Sequence, residues 1–196
     1  MILKPSPQYK PLVQMKYCCA ACSILWILHR RGYWVDQDII AKEIGIKIPK
    51  KVQKLFRVKM KTTRKRSEYG APKLIDKDSY LVNRFLKKYK IPLKMTPFKI
   101  SKIKDPKKFI IDNLKKGNDL MLSFHWRGLG KRWNCGHVCV LAEFDTARNT
   151  VTIGDPSQNR PKFWKVKLSQ LIRAMSPEWD GHERGFYVFE NHNTPK

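Results

Sequence analysis

The sequence predicts an α+β fold with helices packed on an antiparallel sheet, and three observations carry that expectation. The N-terminal part holds helical segments with start and stop signals. The C-terminal half is dominated by short apolar or alternating runs of strand length. Two of those runs, HVCVLAEF and TVTIG, are joined by DTARN, which reads as a hairpin turn.

Residues 1–16 contain three prolines and read as an extended lead-in. CCAACSILWILHRR, from Cys18 to Arg31, has no Gly or Pro and stops at Gly32. Its Ala21, Ile24, Leu25 and Leu28 recur at helical spacing, which predicts a largely buried helix. Asp36 is placed to cap a short second helix, with Ile39, Ile40 and Ile44 inward and Gly45 as its stop. Residues 47–66 carry ten basic side chains and no acid, so a solvated connection is expected, with Val52, Leu55, Phe56 and Val58 packing part of it down. SYLVNRFLKKY is amphipathic, with Ser79 or Asp78 as cap, and IPLKMTPF alternates like an edge strand. DPKKFIIDNLKKG offers Asp105 as cap, Pro106 at the first helical position and Gly117 as stop. LMLSF, HVCVLAEF and TVTIG follow as strands, LSQLIRAM as a helix and GFYVFE as a closing strand. One domain over 1–196 is expected, with a basic insertion or connection at about 46–75.

Composition narrows the function classes. A hydrophobic fraction of 42%, with six Trp, seven Tyr and nine Phe, excludes a disordered chain. Forty-one Lys and Arg against 16 Asp and Glu give a formal net charge of +25. Such a surface attracts acidic substrates or polyanions without naming a reaction. Five cysteines, two of them adjacent, make a poor disulfide framework and suggest a reducing compartment. The N-terminus lacks a signal-peptide core and no run reaches membrane-span length, so a cytoplasmic location is expected, with leaderless export left open.

Four positions can act together. A cysteine at the start of a helix, Cys18 or Cys19, feels the positive end of the helix dipole, which favours the thiolate. His137 opens a strand and could hold that thiol's proton; Asp155, in GDP, ends the next strand and could orient the imidazole. Gln14, shortly upstream of the cysteines, could donate a side-chain N–H to a tetrahedral oxyanion.

QMKYCCAACSILWILHRRG, then VDQDIIAKEIG, then GHVCVLAEFDTARNTVTIGDPS resemble the papain-like cysteine peptidases that trim double-glycine leaders from bacteriocins, and their stand-alone relatives. The tail LSQLIRAMSPEWDGHERGFYVF is similar to that family's closing helix and strand. The resemblance spans most of the chain except about 46–75. It implies a papain-like fold and peptide-bond hydrolysis by a Cys, His and Asp triad with a Gln oxyanion donor, without a cofactor. The family has Gly or Trp directly after the nucleophile, and neither is present. Cys18 matches the family's Cys-x-Ala-Ala-Cys pattern; Cys19 fits the spacing to Gly32, the helical phase and the interval from Gln14. Cys19 is chosen on spacing, with Cys18 second.

Other readings compete. The same fold could serve without catalysis as a basic module binding nucleic acid, and the same dyad could run acyl transfer or deamidation. Cys22 reads as an inert core residue. His125 could border the cleft; His29, His182 and His192 suggest no partner. Cys135, His137 and Cys139 alternate along one strand, but at about 6.6 Å per step they are too spread for one tetrahedral zinc ion.

Overall fold

The computed structural model describes residues 1–157 and 163–192. The lead-in begins with a short strand, β1 (Ile2–Leu3), and ends at helix α1 (Cys19–Arg30). Helix α2 (Gln37–Glu43) follows. The basic segment contributes two short strands, β2 (Lys47–Ile48) and β3 (Lys61–Thr62), and precedes helix α3 (Tyr80–Lys88). Next come β4 (Leu93–Lys99), α4 (Pro106–Lys115), β5 (Asp119–His125) and β6 (Gly136–Asp145). The chain closes through β7 (Thr150–Gly154), β8 (Phe163–Lys167), α5 (Leu168–Met175) and β9 (Gly185–Asn191).

The large sheet runs β4–β9–β5–β6–β7–β8, with β1 paired to the far end of β6, and every pair in it is antiparallel. β4 is an edge strand, as its alternation predicts, and accommodates Pro97. Side chains alternate across the sheet. Met121, Val140, Ala142, Tyr187 and Phe189 face α1, α2 and α3. Leu120, Leu122, Phe124, Cys139, Leu141, Phe186 and Val188 face α4 and α5. The sheet is therefore covered on both faces.

Several local expectations need correction. Helix α1 is one residue shorter at each end than predicted, with Cys18 and Arg31 as its flanking caps. Asp36 and Ser79 occupy N-cap positions, but neither side chain caps its helix. Asp36 pairs with Arg57 instead, at 2.7 Å, and Asp38 accepts the Ile39 N–H at 2.9 Å. Ile39 is only half-buried, while Ile40 and Ile44 are fully inward. Asp105 does cap α4, accepting from Lys108 N at 2.9 Å. Residues 47–66 pack down in part, as expected, through buried Val52 and Phe56 and half-buried Val58; Met60 joins them, and Leu55 departs from the expectation by being exposed. No described helix is long and apolar enough to cross a membrane.

The last turn of α1 is fixed by a buried carboxylate. Asp119, fully buried at the start of β5, accepts from Arg30 Nε and Nη2 at 2.7 and 2.8 Å, from Arg31 Nε at 2.6 Å, and from the Tyr9 hydroxyl. Replacing Asp119 by Ala strands a buried guanidinium and a buried phenol. Urea denaturation is expected to register a loss of about 3–5 kcal/mol; a loss below about 1 kcal/mol would reduce the cluster to a surface ion pair.

Candidate active site

A backbone twist delivers the two adjacent cysteines to different environments. Tyr17 adopts φ +68°, the left-handed region that a bulky residue seldom occupies, and Cys18 N bonds back to Met15 O at 3.0 Å. The bend turns Cys18 inward: it is fully buried, and its thiol points to Lys16 O at 3.5 Å. Cys19 becomes the first residue of α1 and remains half-buried. Its sulfur lies close enough to the His137 side chain, and to the Val138 and Ala20 backbone, for each of them to lower its pKa.

His137 is the second residue of β6, and its Nε2 lies 2.8 Å from Asp155 Oδ1. The β6–β7 register, with Val140 opposite Gly154, brings the residue after β7 alongside the start of β6. Asp155 is fully buried and held twice more, by Ser157 N–H at 2.8 Å and by Trp164 Nε1–H at 3.1 Å. Gly154 is a packing requirement, because a Cβ there would sit 2.5 Å from the Trp26 ring and 2.7 Å from Val140. The imidazole stacks on Trp126, with centroids 5.0 Å apart and planes at 25°, and Phe124 meets it edge-on at 5.8 Å. Trp126 stacks in turn near Trp164.

The electrostatics separate the cysteines. Burial pushes the Cys19 thiol up, but the His137 hydrogen bond and charge outweigh it and leave its pKa below the ordinary value. Burial raises Cys18 far above the ordinary range, with the other thiols adding to it. Cys22 is pushed up to about 12, chiefly by burial, and its thiol meets Leu12 O at 3.6 Å, in keeping with an inert core residue. For His137, burial disfavours the imidazolium, while the Cys139 sulfur, Asp155 and Cys19 favour it; the net pKa is well above the usual value. Burial raises Asp155, but the bond to His137 dominates with the help of Ser157 and Trp164, and its pKa is lowered. Both directions favour the charged forms, thiolate on Cys19 and imidazolium on His137.

Two lobes of a cleft, about 840 and 970 Å³, meet over Cys19 and His137. Both are walled by Arg66, Ser67, Tyr69 and Gly70 on one side and by Asn134, Cys135 and Gly136 on the other. Gln14 lines the larger lobe, and its N–H bonds Pro156 O at 2.7 Å, tying the lead-in to the Asp155 turn. Gln14, Cys19, His137 and Asp155 therefore converge, and Cys18 does not join them. His125 lines neither lobe: its Nδ1 accepts from Arg127 N at 3.3 Å, and its Nε2 lies 3.9 Å from Asp180. His29 packs against Trp34, and His182 lines the smaller lobe.

Sequence reasoning missed Trp126, Trp164 and Cys139 as neighbours of His137. Cys139 shares its strand face, and its sulfur lies within 4.8 Å of a ring nitrogen. Donor atoms of His137, Cys139 and Asp155 all lie within 4.8 Å of one another, a grouping the strand-spacing argument did not foresee because Asp155 comes from beyond β7. An ion there would displace the His137–Asp155 hydrogen bond and deprotonate a Cys139 thiol that burial pushes up to about 12. That cost favours the hydrogen-bonded arrangement over metal ligation.

A search of curated proteins gives no match. Among solved structures, the fold is similar to a double glycine motif protease from an AMS/PCAT transporter, crystallised in complex with the leader peptide. The TM-score is 0.52 at 13% identity, over 97% of this chain and 99% of that one. The architecture is accordingly papain-like. A model of the Peptidase_C39 like family matches residues 7–180. With that much of its length matched, the chain belongs to the Peptidase_C39 like family, and its class is that of a cysteine peptidase.

Proposed function

We propose that this cysteine peptidase hydrolyses peptide bonds with Cys19 as nucleophile, His137 as general base and acid, Asp155 as orienting group and Gln14 as oxyanion donor. The observation that carries the reading is the 2.8 Å hydrogen bond between His137 and Asp155, with half-buried Cys19 lining the same cleft as His137. The Cys19 thiolate attacks the carbonyl carbon. The oxyanion is held by the Gln14 side chain and by a leading N–H of α1, where helix N–H groups lack intrahelical acceptors. His137 gives its proton to the leaving amine as the C–N bond breaks. Water then hydrolyses the thioester, with His137 taking the water proton and Cys19 leaving. Asp155 keeps Nε2 engaged, so the other ring nitrogen serves the thiol. Trp126 and Trp164 cover the pair and support a charged ring.

The similar solved protease binds a leader peptide, so leader-type peptides are the first substrates to test. The net charge of +25 further favours acidic ones. Acidic substrates held by that surface lose affinity between low and moderate salt, a trend kcat/KM at graded ionic strength reads directly.

A thiol-reactive peptide electrophile is expected to label the wild type and Cys18→Ala but not Cys19→Ala. Labelling that survives Cys19→Ala and disappears in Cys18→Ala would transfer the role to Cys18. His137→Ala is expected to cut kcat/KM by about 10²–10⁴-fold with the fold intact by circular dichroism.

The pKa directions also give a pH prediction. Cys19 is lowered, so thiolate persists below the ordinary thiol range of about 8.5, and alkylation by iodoacetamide should stay fast at mildly acidic pH. His137 is raised, so the imidazolium that donates to the leaving amine is lost only on the alkaline side. Asp155→Asn should bring that alkaline limb to lower pH. A wild-type alkylation profile that tracks an ordinary thiol would contradict the ion pair.

A further inference from the structure

The two lobes of the cleft differ in chemistry. Tyr17, Tyr69, Trp126 and Trp133 line only the Gln14 lobe or its rim, apart from Tyr69, which borders both. Trp126 and Trp133 meet edge to face at 5.5 Å, and Tyr17 and Tyr69 pack at 5.1 Å. Trp133 remains 41% exposed, so a large share of its surface is open to a ligand. Beside the Cys19–His137 pair, Lys16 and Arg66 are the charged side chains there, and no Asp or Glu lines this lobe among the described residues. The other lobe mixes both signs, including the Lys99–Asp76 pair at 2.6 Å and the Arg184–Asp180 pair at 2.6 Å.

The reaction assigns a direction to the cleft. The leaving nitrogen takes its proton from His137, so the chain beyond it departs over the imidazole. Trp126 stacks on that ring, and it lines the Gln14 lobe alone. The acyl side then runs along the opposite lobe, past Val138, Ser123 and Tyr187.

We propose that the Gln14 lobe is the leaving-side subsite and selects a large aromatic residue immediately after the scissile bond, with Trp133 as its specificity-determining wall. This rests on the catalytic reading given above. Aromatic rings gain from edge and offset contacts with Trp133 and Tyr69 beyond simple area burial. A Lys or Arg at that position would meet Lys16 and Arg66 without a compensating carboxylate.

Peptides sharing one acyl-side sequence and differing only in the residue after the cleaved bond test the proposal. With Trp or Phe there, kcat/KM is expected to exceed that for Ala by about tenfold, with Lys lowest. Trp133→Ala should flatten the aromatic advantage to about threefold or less. Iodoacetamide titration of Cys19 counts competent sites in each variant, so a failure of the nucleophile shows as absent selective alkylation rather than as altered preference. A second readout needs no turnover: in the Cys19→Ser variant, Phe-Ala-amide should perturb tryptophan fluorescence saturably, Lys-Ala-amide should not, and Trp133→Ala should abolish the response. Equal rates across the series, equal binding of the two dipeptides, or an aromatic preference untouched by Trp133→Ala would each overturn the assignment.

Discussion

The carboxylate of Asp119 determines where helix α1 lies. It takes Arg30 from the last turn of that helix, Arg31 from its C-cap and a tyrosine hydroxyl from the lead-in, and of these only Arg31 is partly open to solvent. A buried carboxylate without such partners would be strongly unfavourable, so the end of α1 has little freedom to slide. Ser23 Oγ donates to Val138 O at 3.1 Å nearer the other end, and Trp26 Nε1 donates to Leu12 O at 2.9 Å. With its axis fixed at several points against β5 and β6, the helix brings its first residue to the start of β6. The meeting of Cys19 and His137 follows from that placement.

The candidate site is layered around one hydrogen bond. His137 and Asp155 sit beneath Trp126 and Trp164, with Cys139 beside the ring and Ser157 completing the carboxylate. Low water access strengthens each of these interactions and makes an unpaired member costly. The net charge of +25 acts at long range and is subject to salt, whereas the buried His137–Asp155 hydrogen bond is screened far less.

Much of the architecture was legible because period and punctuation agreed. The turn at 145–149, with Asp145 accepting from Ala147 and Arg148, joined two clean strands, and their pairing alone predicts that His137 and Asp155 approach. Strand β8 escaped because only Val166 in FWKVK is buried, so alternation there is a weak signal. Asp36 looked like a cap because residue type and position were right, but Arg57, distant in sequence, took its carboxylate. Spacing favours Cys19 over Cys18 in the sequence; the left-handed backbone at Tyr17 that precedes buried Cys18 is a conformation that a tyrosine does not advertise. Trp126 and Trp164 drew no assignment from the sequence, because composition cannot reveal which aromatic ring will cover a polar pair.

The bond from Gln14 N to Pro156 O crosses from the lead-in to the turn beyond β7. With helix α1 clamped at its far end, this second tie stitches the segment leading into Cys19 to the segment that carries Asp155. Residues 14 and 155, far apart in sequence, are thereby moored to one another by main-chain atoms, so their spacing is insensitive to which side chains surround them.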